Sequence, residues 1–412
     1  MVKKSPRQQL PPQIKKIELK SGALRYEVIA EAGTDPVTGE RRQTRKRYRT
    51  EKEARDALAG VNHAVAQGTY VARSAVTVEQ ACAEWLAGKR VGKSTRAAYT
   101  HALQPVRDRF GTMPIQQLSK ADLDNLVTDL QDGEFYYAHG RACQPWAAAT
   151  INPMLRLTGN VLESQRAQGY LTRNVAALVD RVPNDRREMD TYTPNEVRKV
   201  IAAADKHRIG HAWHLALSGL RRGEIAGLRW SDVDLIKGTL TVVNTRIQVD
   251  GEIIEKETKT AKSRRTLPLT PVITEALKRA SVRQAAERLA LGEDYGAGAY
   301  VVCDEAGEPL HPDKLSRGWH VVCTAAGVRP IRLHDARHTC GTLMHLQGVP
   351  IATVSAWLGH CDAAFTLRTY VHNQADALTA AAQTLNAVVT GRDTAPSVRT
   401  VRTRSTRRKS TG

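Results

Sequence analysis

Apolar residues recur along this chain with two periods, and the changes of period mark its organisation. Near the N-terminus, Ile14–Leu19, Ala23–Ala30 and Arg42–Tyr48 predict short strands. Between the last two, Gly33-Thr34-Asp35-Pro36-Val37-Thr38-Gly39 is dense in turn formers. Thr50-Glu51-Lys52-Glu53 reads as a capping box opening a helix through about Gln67. From Thr77 the pattern becomes helical. Val78, Ala81, Cys82, Trp85 and Leu86 follow helical spacing behind a second capping signature, Thr77-Val78-Glu79-Gln80. Further helices begin at Lys93-Ser94-Thr95-Arg96 and around Ser119-Lys120, and a longer one runs from Trp146 to Gln168, after a loop at Gln131–Pro145.

The polar stretch Val182–Glu188 reads as a linker, after which Thr193-Pro194-Asn195-Glu196 supplies an N-cap, a proline at N1 and a glutamate at N3. The remainder to about Val389 is mostly helical, interrupted by strand-like runs at Thr239–Val243, Arg246–Val249, Ile253–Glu257 and Arg265–Leu269. The expected fold class is multidomain, mainly α with small β-sheets: a β-rich module at 1–72, a helical module at 77–180, a mixed α+β domain at 190–390 and a basic tail at 391–412. Met1–Pro12 reads as a flexible leader, and the Arg/Ser/Thr-rich tail as disordered on its own.

Composition sharpens this picture. Hydrophobic residues make up 41% of the 412, enough for real cores, so wholesale disorder is excluded. The net charge is +19 and the sequence pI about 9.9, the electrostatic footprint of a polyanion binder. The excess sits at the ends: residues 1–75 hold 16 Lys/Arg against 8 Asp/Glu, and residues 391–412 hold 7 against one. Basic ends act as arms that engage phosphates. Arg41, Arg42, Arg45, Lys46, Arg47 and Arg49 crowd one hairpin arm, which suits a ribbon entering a DNA groove. Lys93, Ser94, Thr95 and Arg96 open a helix whose amino end suits a backbone phosphate. Six cysteines show no C-x-x-C pairing, no secretory signal stands at the start and no run of 18 apolar residues suggests a membrane span; a reducing intracellular compartment fits.

Separated clusters in the C-terminal half carry the candidate chemistry. They are Ser218-Gly219-Leu220-Arg221-Arg222-Gly223-Glu224, then Lys259-Thr260-Ala261-Lys262-Ser263-Arg264-Arg265 in an expected hairpin, then His334-Asp335-Ala336-Arg337-His338 opening a helix, then Leu358-Gly359-His360, with Tyr370 10 positions on. This ordered set, G-L-R-x-G-E, T-K-x-x-x-S-x-R, H-x-x-R, L-G-H and a following tyrosine, resembles the tyrosine recombinase (phage integrase) family. The likeness is strong over 190–385 and weaker over 77–180, which resembles a core-binding domain; 14–70 resembles an arm-binding domain.

The resemblance implies that Arg221 and Arg337 flank a scissile phosphate, Lys259 (or Lys262 close by) protonates the leaving oxygen, His334 and His360 assist, and Tyr370 is the nucleophile. The residue types suit that task. Guanidiniums offer paired donors to phosphate oxygens and stay charged at any working pH. A phenol with a pKa of about 10 needs a base or a strong field to attack. A phosphotyrosyl bond would conserve the bond energy, so no cofactor and no metal is expected. The family likeness further implies a C-shaped clamp on double-stranded DNA at core-type and arm-type sites, a homotetramer with a Holliday-junction intermediate, a directionality factor and a DNA-bending protein, in a bacterial cytoplasm with no membrane association. It implies integration and excision of phage or integrative-element DNA.

Other readings compete. Glu224 reads as orienting arginine rather than touching DNA, and Trp230 and Trp357 as core aromatics. His334 and His338 at i and i+4 suit a zinc site, yet Asp335 occupies the Glu slot of H-E-x-x-H and Arg337 would place a cation beside the metal. Cys340 and Cys361 lie near histidines but read as small buried residues. A conjugative-transposon recombinase shares every one of these features. A non-enzymatic DNA-binding regulator would need the basic surfaces but not the Arg–Lys–His–Arg–His–Tyr set.

Overall fold

The structure, a computed structural model, describes residues 9–34, 41–67, 70–184, 189–257 and 264–360. Lys259, Lys262, Tyr370, Cys361, the start of the basic leader and the C-terminal tail lie outside the described residues. The chain divides into two compact units, Met1–Arg187 and Glu188–Gly412.

In the first unit, β1 (Ile14–Glu18), β2 (Leu24–Thr34) and β3 (Arg41–Tyr48) form an antiparallel sheet in that order. Alternation along β2 puts Val28 and Ala30 on one face, where they pack with Ile14 against Ala54 and Leu58 of α1 (Glu51–Ala66). Thr50 caps α1 by accepting from Glu53 N–H at 3.2 Å, while the Glu53 carboxylate reaches back to Arg49 N–H rather than to the cap itself. The opposite face collects what the register places there: Lys15 beside Glu27 beside Arg47, with Arg45 paired to Ile29.

Four helices follow: α2 (Val78–Ala87), α3 (Lys93–Phe110), α4 (Lys120–Asp132) and α5 (Ala148–Ala167). Reciprocal capping boxes at Thr77/Gln80 and Ser119/Asp122 start α2 and α4, as their spacing predicts. Their apolar stripes meet in a core that includes Leu103, Leu123, Leu126, Leu130, Ile151 and Met154.

The second unit begins with Thr193 capping α6 (Pro194–Ala204), followed by α7 (Gly210–Leu217) and the short α8 (Arg222–Gly227). A three-stranded sheet orders β4 (Val233–Asp234), β5 (Thr239–Val242) and β8 (Arg265–Pro268), and β6 (Asn244–Val249) and β7 (Glu252–Glu257) form a separate ribbon turning at Asp250 and Gly251, both with positive φ. Most of the expected hairpin at 259–265 lies outside the described residues; on either side of it, β7 pairs with β6, and Arg265 opens a strand that pairs with β5 in the other sheet. Helices α9 (Pro271–Leu291), α10 (Pro312–Ala325), α11 (Leu333–Leu346) and α12 (Ile351–Leu358) complete the unit. Its core centres on the fully buried Trp213 and Trp319, whose ring centroids are 6.0 Å apart. Trp230 and Trp357 pack at the core's edge, each with its indole N–H bonded, to Gln284 and to the Ser218 carbonyl.

Two glycines seat α8. A Cβ at Gly223 would lie 3.1 Å from Arg246 O, and one at Gly227 would lie 3.1 Å from three backbone atoms of β6. Four residues apart on one face, they bring the helix close onto the strand's main chain, where a Cβ at either position would press the strand back by a few tenths of an ångström. Among the described residues no helix is long and apolar enough to cross a membrane.

Candidate active site

Elements from three parts of the second unit converge on the C-terminal end of α12. The chain leaves α7 through Ser218 and Gly219 and places Arg221 at the N-cap of α8. Gly219 has a φ of +95°, and a Cβ there would stand 2.7 Å from Leu358 Cδ2, so the turn can lie against α12 only as glycine. On α11, His334, Arg337 and His338 share one helix face by their spacing. Arg265 arrives from β8.

A helix leaves its last carbonyls without partners and slightly negative. Here three consecutive ones each accept from a different arginine. Trp357 O takes Arg265 Nε at 2.7 Å, Leu358 O takes Arg337 Nη2, and Gly359 O takes Arg221 Nη2 at 2.9 Å. Arg337, only 1% exposed, also donates from Nη1 to Gly219 O at 2.6 Å. His360 follows directly, half-buried, with its N–H bonded to Ser355 O.

Glu224, 2% exposed, links two of these arginines. Its Oε1 accepts from Arg221 Nη1 at 2.7 Å and from Arg265 Nη1 at 3.1 Å. Its Oε2 accepts from Arg221 N–H at 2.8 Å and Arg265 Nη2 at 2.9 Å. Burial alone would push this carboxyl up; the Arg265 hydrogen bonds and charge, with help from Arg221, outweigh it and hold Glu224 below the usual carboxylate range. The histidines move the same way for a different reason. Desolvation, Arg337 and Arg221 push His360 down to about 4, and desolvation with Arg337 lowers His334 despite the opposing Asp335. His338 falls to about 4 through desolvation and the neighbouring His334, whose ring stands perpendicular at 4.8 Å between centroids. At neutral pH these imidazoles are uncharged and the positive field comes from the guanidiniums.

The structure thus brings together Arg221, His334, Arg337 and His360, four of the six residues picked out from sequence; Lys259 and Tyr370 lie outside the described residues. Arg265 was missed as a site residue. It stands at the last position of the T-K-x-x-x-S-x-R pattern, and only the fold reveals what it touches. Among the described residues no group of three or more His, Cys, Asp or Glu could hold a metal ion. Cys340 is buried and free, as are Cys82, Cys143, Cys303 and Cys323.

In the first unit, Arg45 and Arg47 stand on the open sheet face with side chains 65% and 56% exposed, and both approach Glu27. Lys93 is exposed, and Ser94 and Thr95 partly so. Arg96 turns inward instead, donating to Leu86 O and, at 2.7 Å, to Lys89 O, so its guanidinium closes the end of α2 rather than facing outward.

Residues 191–376 match the phage integrase family, and residues 13–65 match an arm DNA-binding domain. A tyrosine recombinase XerC-like protein of Caldanaerobacter subterraneus is 31% identical over 284 residues, covering 64% of this chain and 71% of that protein. The chain belongs to the tyrosine recombinase family. As a tyrosine recombinase it is a site-specific DNA recombinase. The ICEBs1 integrase of Bacillus subtilis is 24% identical over 84% of this chain and 93% of its own length. The fold agrees. The Tn1549 transposon integrase, solved with transposon right end DNA, superposes with a TM-score of 0.62 at 18% identity, over 76% of this chain and all of the other. The lambda integrase tetramer bound to a Holliday junction gives 0.52 at 18% identity, over 88% and 96%.

Proposed function

We propose that this recombinase integrates and excises the DNA of a phage or integrative element, cutting one strand at a time through a 3′-phosphotyrosyl bond to Tyr370. What carries the reading is the cluster at the end of α12, where guanidiniums of Arg221 and Arg337 stand with His334 and His360 in one basic, partly desolvated place. Charge gathers on the non-bridging oxygens as phosphorus is attacked, and donors held in position beforehand stabilise it without reorganising. Neutral His334 takes the phenol proton from Tyr370, and His360 orients the phosphate. Lys259, or Lys262, protonates the departing 5′-oxygen. The tyrosyl ester then stores the bond for rejoining, so neither an external energy source nor a metal takes part.

The arm sheet (1–72) would read arm-type sites with the face that carries Arg45 and Arg47. The helical module (77–180) would bind core sites, with Lys93, Ser94 and Thr95 near a phosphate, and 190–390 would hold the chemistry. The basic tail (391–412) would tether phosphates. Two rounds of exchange between two duplexes call for a homotetramer on a Holliday junction, and a directionality factor and a DNA-bending protein would set its direction; such an enzyme works on the nucleoid in the bacterial cytoplasm. A conjugative-transposon recombinase is the second reading, and the fold likeness to the Tn1549 transposon integrase is in keeping with it; sequencing insertion junctions separates strict from loose target choice.

A nicked suicide substrate, incubated without divalent metal, tests the chemistry. The wild-type chain traps itself covalently, whereas Tyr370→Phe binds the same DNA and forms no adduct. An adduct that persists in Tyr370→Phe overturns the assignment.

A further inference from the structure

We propose that Arg265 is a positioning residue for strand cleavage: it fixes Glu224, and through it Arg221, while tying both to the last turn of α12 from which the chain runs on to His360 and Tyr370. The inference rests on the reading of Arg221 as a phosphate-binding group.

The geometry gives Arg265 two tasks at once. Its fork meets both oxygens of Glu224, at 2.9 and 3.1 Å, and its Nε bonds Trp357 O at 2.7 Å. Its side chain is only 7% exposed and that of Glu224 only 1%, so Arg265 is placed to hold the carboxylate rather than to present charge to solvent. Glu224 also pairs with Arg221, which it grips by both side chain and backbone. Arg221 in turn bonds Gly359 O, two residues beyond the carbonyl that Arg265 holds. The result is a closed circuit: Trp357 carbonyl, Arg265, Glu224, Arg221, Gly359 carbonyl. Gly359 belongs to it by shape. Its φ is +64°, and a Cβ there would lie 3.1 Å from Arg265 Nη1 and 3.2 Å from Arg265 Cδ. The glycine of L-G-H is therefore the space that the arginine of T-K-x-x-x-S-x-R occupies.

Removing the guanidinium has a signed consequence. Burial pushes Glu224 up, and Arg265 provides the largest opposing effect, ahead of Arg221. Without Arg265 the carboxyl takes up a proton at a higher pH than before and loosens its hold on Arg221. Among the described residues, the charged groups paired with Glu224 are Arg221, at the head of its own helix, and Arg265, on β8. His334 and His360 feel the arginines and titrate below their ordinary range.

The test is single-turnover cleavage of the nicked substrate by the full chain from pH 5.5 to 8.5, with DNA affinity and thermal midpoint measured alongside. Arg265→Gln should cleave about 100-fold more slowly at pH 6, the scale of a small misplacement of a reacting group. It should bind DNA within about twofold of wild type, and its rate relative to wild type should climb as pH rises. Adding Glu224→Gln should erase that climb, because no carboxyl remains to titrate. Arg265→Lys keeps the charge but not the fork and should recover only part of the rate. A relative rate that is flat with pH, full recovery in Arg265→Lys, or loss of rate only in step with DNA affinity would each overturn the proposal. If Tyr370→Phe still forms adduct, the underlying chemistry fails instead; if it does not and Arg265→Gln cleaves normally, only the positioning role falls.

Discussion

The protein holds arginines in two contrasting ways. On the N-terminal sheet, Arg45 and Arg47 stand more than half exposed on an open face and share a single carboxylate, Glu27. In the second unit, Arg265 and Arg337 are nearly sealed from solvent, and they and Arg221 are bonded to carbonyls and a carboxylate at several points. Loose cations can neutralise phosphates wherever they meet them and contribute mainly affinity. Held cations keep their direction and can favour one arrangement of charge over another, which is what a transition state requires. On the proposed function the same residue type would serve binding in one place and chemistry in the other, the difference lying in what each guanidinium is bonded to.

The sharpest way to break this contrast is Arg337→Ala. Removing a prearranged donor should slow single-turnover cleavage by about 10²–10³-fold with much less effect on DNA affinity; an equal loss of both would make Arg337 an ordinary binding cation. The mirror experiment is Arg45→Ala with Arg47→Ala. Affinity for arm-type DNA should fall and the slope of log K against log salt should shrink by about 2, while cleavage of a core substrate stays unchanged. An unchanged salt slope would remove the sheet face from the DNA.

A smaller effect comes from acid. His211, His338 and His360 are each pushed down to about 4 by burial, against about 6.5 in an unfolded chain. Their contribution to stability is complete above about pH 6.5 and is lost as pH falls from there toward 4, because protons then favour the unfolded chain. The thermal midpoint should drop across that window, and a midpoint flat from pH 7 to 5 would contradict the burial described here. The smallest change expected is Arg96→Met. It removes bonds to two carbonyls at the end of α2, should lower stability by about 1–3 kcal/mol, and should leave the salt slope of DNA binding alone.

The catalytic candidates were legible because each sits in a short motif whose order survives in one dimension: Arg221 before Gly223-Glu224, Arg337 three residues after His334, His360 after Leu358-Gly359. The helix starts at Thr77, Ser119 and Thr193 were legible for a local reason, since a cap and its partner lie within one turn. What could not be read is what depends on contacts between distant stretches. Arg96 looks in sequence like any cation at a helix start, and only the approach of α2 shows where it points. Arg265 looks like one of two adjacent arginines, and its partner Glu224 lies 41 residues away. Strand pairing is hidden for the same reason: β7 and β8 are neighbours in sequence, but their partners are β6 and β5.

The paired glycines of α8 have a mechanical corollary. A six-residue helix has little stability of its own, so its position is dictated by the strand against which Gly223 and Gly227 rest. Arg221 heads that helix, and β7 is the other arm of the same ribbon. The ribbon is thus the mount of Arg221: tilting it carries the head of α8 with it, so a swap of the β6–β7 turn alters the aim of this arginine without touching its side chain.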